Sequence, residues 1–249
     1  MEILVCIRRA PTTDARIKPA ADGKNYDAAG INYDISEYDK FALEAGILLK
    51  EQHGGKVTVL CMGPSAATKE VRTAIAMGCD EAHLLVDDQF HDAWATASAL
   101  AAKIRTLPHD IVLFGWSSVD NQSAGTGQMV AELLGLPSVS VAVSMEVADG
   151  AAKIERLAAG GKREKYQVRL PAVVTCQKGL NKYRSANMKG IMAAKKTNVP
   201  ETPANAPADG VAVLRMMPPP PRKEGKIVGK GPEAVNDLVR LLRDEAKVI

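Results

Sequence analysis

Four continuous apolar runs, at 2–8, 56–63, 82–86 and 111–116, are separated by segments whose hydrophobic residues recur at helical spacing. Strands that are apolar on both faces cannot lie on a solvated sheet surface, so they require cover on both sides. Single helices between them supply that cover and the crossover that parallel strands need. The expected fold class is therefore α/β, with a mostly parallel central sheet and helices on both faces.

The intervening segments carry their own boundary signals. A polar stretch, 11–35, has turn signals at Asp22-Gly23 and Gly30, and Ser36 then opens a helix. Ser36 and Asp39 are spaced as a capping box, with Asp in place of Glu. The apolar face of that helix runs Tyr38, Phe41, Ala42, Ala45, Leu48, Leu49. Pro64-Ser65 starts a second helix bearing Val71, Ala74 and Ile75, and Gly78 is a natural stop. A third helix is expected over 91–106, and a fourth buries Met129, Val130, Leu133 and Leu134 before Gly135. After residue 137 the pattern alternates, predicting strands at 139–147, 152–157 and 163–170 with a turn at Gly160-Gly161, then an apolar strand at 171–176.

The segment from Ile111 to Met129 reads as a buried strand, a loop of small polar residues, and a helix start. Such a loop can wrap backbone N–H groups and hydroxyls around a phosphate, with the helix dipole behind them. Nothing elsewhere competes with it. His53, His83, His91 and His109 are dispersed, which argues against a metal site, and Asp87-Asp88 reads as a solvated strand end. Arg8 and Arg9 could face a nucleotide phosphate, a partner subunit or solvent. The chain reads as a nucleotide holder rather than a maker of bonds.

The net charge of +3 is too small to argue for nucleic acid. Cys6, Cys61, Cys79 and Cys176 are scattered with no CxxC pair, which predicts free thiols in a reducing compartment. No apolar run approaches the ~18 residues of a membrane span. The first strand begins almost at Met1, leaving no room for a signal peptide, so a cytoplasmic protein is expected.

Seven of the fourteen prolines fall between Pro200 and Pro221, so 197–226 is expected to be an extended arm. Beyond it, Pro232 suits a helix start, and Val235, Leu238, Val239 and Leu242 make a short amphipathic helix. Such an arm either folds back on its own domain or reaches a partner subunit. A basic segment, 179–196, also carries three exposed-looking apolar residues, Met188, Ile191 and Met192, on either an ordinary amphipathic turn or a docking surface.

The chain resembles the β subunit of electron transfer flavoprotein over essentially its whole length. The resemblance is carried by ILVCIRR, SEYDKFALEAGILLKE, GPSAATKEVRTAIAMGCDEA, SVDNQSAGTGQMVAELL and LPAVVTCQKGLNKYRSANMKGIMAAKK. It implies an adenine-nucleotide α-hydrolase-like sheet domain, residues 1–196, and an arm with a C-terminal helix, 197–249, that packs on an α subunit. It implies an electron carrier rather than an enzyme: FAD lies at the interface with the α subunit, and one structural AMP lies in this chain. The partners implied are flavin dehydrogenases such as acyl-CoA dehydrogenases, in fatty acid oxidation, and a membrane quinone oxidoreductase as acceptor.

Carried over by position, the nucleotide would be held by Cys6, by Ser36 and Asp39 at the helix start, and by Met62. The loop would supply Asp120, Asn121, Gln122, Ser123, Thr126, Gly127, Gln128 and Met129. Tyr38 is similar to an aromatic near the flavin ring. Residues 184–193 look like a loop that docks on dehydrogenases, with Arg184, Met188, Ile191 and Met192 as its contacts. The chain departs from the family at Ser36-Glu37-Tyr38 (commonly Asn-Pro-Phe), which implies a different backbone route around the nucleotide. In the docking loop Met188 stands at the anchoring position (commonly Leu), and Tyr183 (commonly Pro) and Ala193 (commonly Lys) imply a different dehydrogenase partner. Bifurcating members carry a second FAD and tend to read Asp-Thr-Ala-Gln-Val-Gly-Pro where this chain has Ser-Ala-Gly-Thr-Gly-Gln-Met, so the AMP form is expected. The rivals are the bifurcating form and a stand-alone universal-stress-type nucleotide-binding module.

Overall fold

The computed structural model describes residues 1–221 and 224–249. Its main sheet has nine strands in the order β11-β5-β4-β1-β6-β10-β7-β8-β9. The central ones are β1 (Glu2–Ile7), β4 (Lys56–Gly63), β5 (Glu81–Val86), β6 (Ile111–Gly115) and β10 (Ala172–Cys176). All of these run parallel, with Ile3 paired to Val57 on one side and to Ile111 on the other. Period-two alternation along β1 feeds two cores. Ile3, Val5 and Ile7 pack with α1 (Glu37–His53) and α2 (Thr68–Met77). Leu4 and Cys6 pack on the other face with α3 (Ala93–Ile104) and α4 (Thr126–Leu134). Helices thus cover both faces, as the apolar runs require.

The later strands follow the predicted change of pattern. β7 (Ser138–Ala148) is parallel to β10, and β8 (Ala151–Leu157) and β9 (Arg163–Arg169) extend it antiparallel. Gly160 and Gly161, at φ 71° and 74°, turn β8 into β9 in a backbone region that side chains disfavour. The edge strand β9 carries Arg163, Glu164, Lys165 and Arg169, charges that discourage edge-to-edge pairing.

The polar segment 11–35 is closed by β2 (Arg9–Pro11) and β3 (Tyr33–Ile35), which pair as a small antiparallel ladder. The arm starts as part of the main sheet. Its β11 (Glu201–Pro203) adds to the free edge of β5, with Leu84 N–H donating to Pro200 O at 3.0 Å. Met129 is half-exposed, so the buried side of α4 rests on Val130 and Ala131. Finally, Ser36 stands at the N-cap of α1 but makes no capping bond, and its buried hydroxyl has no partner. The Asp39 carboxylate that would complete the box is committed elsewhere.

Among the described residues the arm carries no helix or strand between β11 and Gly231, and α6 (Val235–Asp244) leaves Val235, Leu238 and Val239 exposed. The four cysteines are buried and free, as predicted. Among the described residues no helix is long and apolar enough to cross a membrane.

One glycine shows how closely α1 lies on the sheet. A Cβ on Gly46 would stand 2.9 Å from a Val5 methyl and 3.2 Å from an Ile3 methyl. Gly46→Ile is expected to destabilise the chain by about 1–3 kcal/mol through overpacking, read from urea unfolding.

Candidate functional site

Strand order places a cleft before any residue is considered. From β1 the chain moves outward to β4 and β5, then returns through α3 to β6 on the other side of β1. This reversal opens a crevice at the carboxyl ends of β1 and β6, the usual ligand position in open α/β sheets. The two strands pair only from Ile3–Ile111 to Val5–Leu113. Beyond that they separate, and their next N–H groups need other partners.

Asp39 supplies them. Arg8 N–H donates to its Oδ2 at 2.7 Å and Gly115 N–H to its Oδ1 at 2.9 Å, so one carboxylate straps the two strand ends together. Burial pushes Asp39 up to about 7, against the lowering effect of those two bonds. Gly115 is fitted to the strap, since a Cβ there would collide with Asp39 and with the Tyr38 backbone. Beside it, Trp116 stacks on Tyr38 with centroids 5.7 Å apart.

The cleft has two chambers. The inner one encloses about 90 Å³ over an apolar floor of Cys6, Met62, Leu100 and Phe114. The outer, more polar one holds about 630 Å³ and shares Arg8, Met62 and Thr96 with the inner. Arg8 forms part of the wall, its Nε donating to Asp120 Oδ2 at 2.9 Å. That pairing holds the Asp120 carboxyl below its ordinary range despite burial.

The loop leading into α4 roofs the inner chamber. Gln122 and Ala124 hold φ of 52° and 51°, a left-handed conformation uncommon outside glycine. Such strain persists where neighbouring bonds over-determine it. Asn121 Oδ1 accepts from Ser118 Oγ at 2.8 Å and Ser123 N–H at 3.2 Å. The Gln128 amide, turned to satisfy both of its atoms, donates to Ala124 O at 3.0 Å. No side chain caps α4, so the N–H groups of its first turn face the chamber with the positive end of the helix dipole. Gly127 lets that turn approach the sheet, since a Cβ would lie 2.7 Å from Thr175 Cγ2. The roof can accept an anion and the floor a flat apolar ring.

Of the predicted cofactor-binding residues, Cys6, Asp39, Met62, Asn121, Ser123, Thr126 and Gly127 line the inner chamber. Asp120 stands at the wall of the outer one. Ser36, Tyr38, Gln122, Gln128 and Met129 line neither; Tyr38 supports Trp116, and Gln128 braces the loop. Sequence reasoning missed Thr96, Leu100, Phe114, Gly115 and Trp116. Position at a strand's carboxyl end could have flagged Gly115 and Trp116. Thr96 and Leu100 depend on how α3 is seated.

The predicted docking residues gather elsewhere, around α5 (Met188–Lys196). Met188 and Met192 are 73% and 61% exposed, and Ile191 is half-exposed beside them. The helix carrying them is held firmly. Asn187 caps it through Gly190 N–H at 2.8 Å, and Arg72 of α2 donates to Ala194 O and Thr197 O at its far end. Arg184 does not extend outward with the methionines. It lies against buried Glu44 (Nη2 to Oε1, 2.9 Å) and Glu51 (Nη1 to Oε1, 2.7 Å), tying the segment before α5 to α1.

Asp39→Ala leaves two strand-end N–H groups without acceptors and is expected to destabilise by about 1–3 kcal/mol for each. The pH sign is also fixed. A carboxyl whose folded pKa lies above its unfolded value stabilises most at low pH, and that contribution is lost as pH rises toward about 7. Asp39→Asn should therefore flatten the fall in melting temperature between pH 4 and 7, checked by calorimetry across that range.

The electron transfer flavoprotein domain family matches residues 24–207. The chain is 38% identical to the electron transfer flavoprotein subunit beta of Syntrophomonas wolfei, covering 100% of this chain and 98% of that one. It is 35% identical to the Bacillus subtilis subunit beta, covering 100% of both. The caffeyl-CoA reductase–Etf complex subunit CarD of Acetobacterium woodii is 36% identical over 78% of this chain and 75% of its own. A nucleotide-type cleft at the switch point, a separately held apolar helix and full-length kinship agree: this chain belongs to the electron transfer flavoprotein family, as a β subunit.

Proposed function

We propose that this β subunit pairs with an α subunit, shares an FAD with it, and holds one AMP in its own cleft as a structural ligand. The observation that carries the AMP reading is the uncapped first turn of α4, brought against the sheet by Gly127 above an apolar floor. The hydroxyl of Thr126 and the N–H groups of Gly127 and Gln128 would hold the phosphate, with Asn121 and Ser123 shaping the loop beside it. Cys6 and Met62 would pack the base, and Asp39 fixes the strand ends on which it rests. Gln122 and Met129 would act only through the path of the loop, and Ser36 through the start of α1. FAD, when bound, supplies the redox chemistry; this chain's part is to bind, orient and dock.

Tyr38, braced by Trp116, is the aromatic expected to face the flavin. The arm supplies the α-subunit contact: Val211, Leu214, Met217 and Ile227 are exposed along it, as is the apolar face of α6. Met188, Ile191 and Met192 would enter a hydrophobic pocket on a flavin dehydrogenase. An acyl-CoA-type dehydrogenase is the favoured donor; the name of the caffeyl-CoA reductase–Etf relative supports a partner that acts on CoA esters. A membrane quinone oxidoreductase is the proposed acceptor, and the cytoplasm the proposed location.

A second reading has an observation of its own. The outer chamber of about 630 Å³ continues from the inner one, leaving room for a longer nucleotide such as the second FAD of bifurcating relatives. The stand-alone universal-stress-type module is set aside by membership in the flavoprotein family.

Denaturing the chain purified with its co-expressed α subunit should release one FAD and one AMP per heterodimer, identified by chromatography and mass. Release of two FAD would establish the second reading instead. Met188→Ala should slow electron exchange with the cognate dehydrogenase by ~10-fold or more, since a buried anchor is worth about 1–2 kcal/mol or above. The flavin content should not change, and unaltered exchange would reassign the anchor.

A further inference from the structure

The neutral imidazole of His91 could donate from only one ring nitrogen, yet both meet carboxylates. Nε2 lies 3.0 Å from Asp87 Oδ2 and Nδ1 3.2 Å from Asp209 Oδ1. Two acceptors facing two ring nitrogens are both satisfied only when the ring is doubly protonated. Asp87 and His91 line the outer chamber of the cleft, whereas Asp209 belongs to the C-terminal arm. His91 therefore joins the mouth of the nucleotide cleft to a segment 118 residues further along the chain.

The junction is reciprocal. Asp209 Oδ1 also accepts the N–H of Asp92 at 2.8 Å. Asp92 in turn caps α3 through Ala95 N–H at 2.8 Å and accepts the N–H groups of Gly210 and Val211 at 2.7 and 2.9 Å. Each carboxylate thus holds backbone from the other segment. Among the described residues, one further backbone bond ties the next stretch of the arm to the domain, Met216 N–H to Gly23 O at 2.7 Å. Downstream lie the exposed apolar residues and α6.

We propose that Asp87, His91, Asp92 and Asp209 form a proton-operated clasp. It holds the root of the arm against the mouth of the outer chamber while His91 carries both ring protons, and loosens when one is lost to solvent. Among the described residues, the charged groups around His91 are few. Asp87, Asp88 and Asp92 lie on its own segment and Asp209 on the arm. Across the chamber, Arg8 lies 5.7 Å from the Phe90 ring and is paired with Asp120. Burial alone lowers the His91 pKa, but the hydrogen bonds and charges of Asp87 and Asp209 outweigh it and hold the group above its ordinary value. The sign follows: the clasp is complete below the unfolded histidine pKa of about 6.5 and is lost as pH rises through the higher folded value.

The consequence is directional. The arm's departure point from the domain, and with it the position of the surface offered to the α subunit, depends on a proton at the cleft mouth. The clasp does not rest on which nucleotide the cleft holds. Its test is hydrogen exchange on the heterodimer at pH 6.0 and 8.5, corrected for intrinsic rates and resolved over 205–217. Protection at Gly210 and Val211 should fall by about tenfold at the higher pH. His91→Gln should give the lower protection at both pH values. Asp209→Asn, which keeps an acceptor but removes a charge, should move the midpoint to lower pH. Equal protection at the two pH values in the unmodified protein, or an unchanged pH dependence in either variant, would overturn the clasp. Nucleotide release on denaturation is a separate readout, so failure here leaves the AMP reading standing.

Discussion

The contact on which the cleft depends is one carboxylate reaching two backbone N–H groups. Parallel strands at a switch point must part, because the chain leaves β1 in one direction and returns to its other side. Their ladder ends at Val5 and Leu113, and groups beyond it would be buried without partners. Asp39 meets that need from a neighbouring helix, with its two oxygens matched to the two strand ends. The strap keeps the mouth narrow enough for the loop after β6 to close over it. It also accounts for Gly115, since no side chain fits between strand and helix there.

Burial of that carboxyl has a cost, visible in its raised pKa. A buried ionised group held by N–H donors, with no cation in contact among the described residues, is a less stable arrangement than an ion pair. The nearby Arg8 guanidinium is turned to Asp120 at the chamber wall. Asp39 and Asp120 thus divide the work: one ties the backbone of Arg8, the other its side chain. With one guanidinium set against two carboxyls, the site has no surplus positive charge to offer an anion. A phosphate placed here would rely on helix N–H groups and hydroxyls more than on a lysine or arginine clamp. That arrangement suits a ligand retained for structure and not one that is released each turnover.

Much of this was legible in the sequence, and the reasons differ by element. The central strands were readable because residues buried on both faces are mostly apolar, as Ile3–Ile7 and, Thr58 apart, Val57–Cys61 are. The loop ahead of α4 was readable as a loop because its small polar residues fit neither a buried strand nor an apolar helix face. The Ser36–Asp39 spacing misled, since a capping box and a cross-strand strap place the same residue type at the same position, and only tertiary partners decide between them. β11 was hidden by its prolines. Pro200 precedes and Pro203 ends an edge strand whose partner, Leu84, lies more than a hundred residues back, and no local pattern announces it. The Arg184–Glu44 and His91–Asp209 pairs were invisible for the same reason: each joins segments over a hundred residues apart.

The same structure separates what must stay fixed from what must be exchanged. α5 is capped by Asn187 at its start and held by Arg72 of α2 at its end, and a Cβ on Gly190 would strike the Ala76 carbonyl of α2. Its backbone therefore cannot shift without disturbing the sheet's cover. The side chains it offers, Met188 and Met192, are the opposite, unbranched and adaptable. A rigid backbone reduces the ordering cost of docking, whereas flexible thioethers tolerate pockets of differing shape. Leucine in their place would fit one pocket more sharply and others less well. Electron carriers need contacts that form quickly and dissolve quickly, so a small adaptable patch on a fixed mount serves better than a large complementary face. The arm follows the other logic, with a long apolar surface suited to a partner that stays.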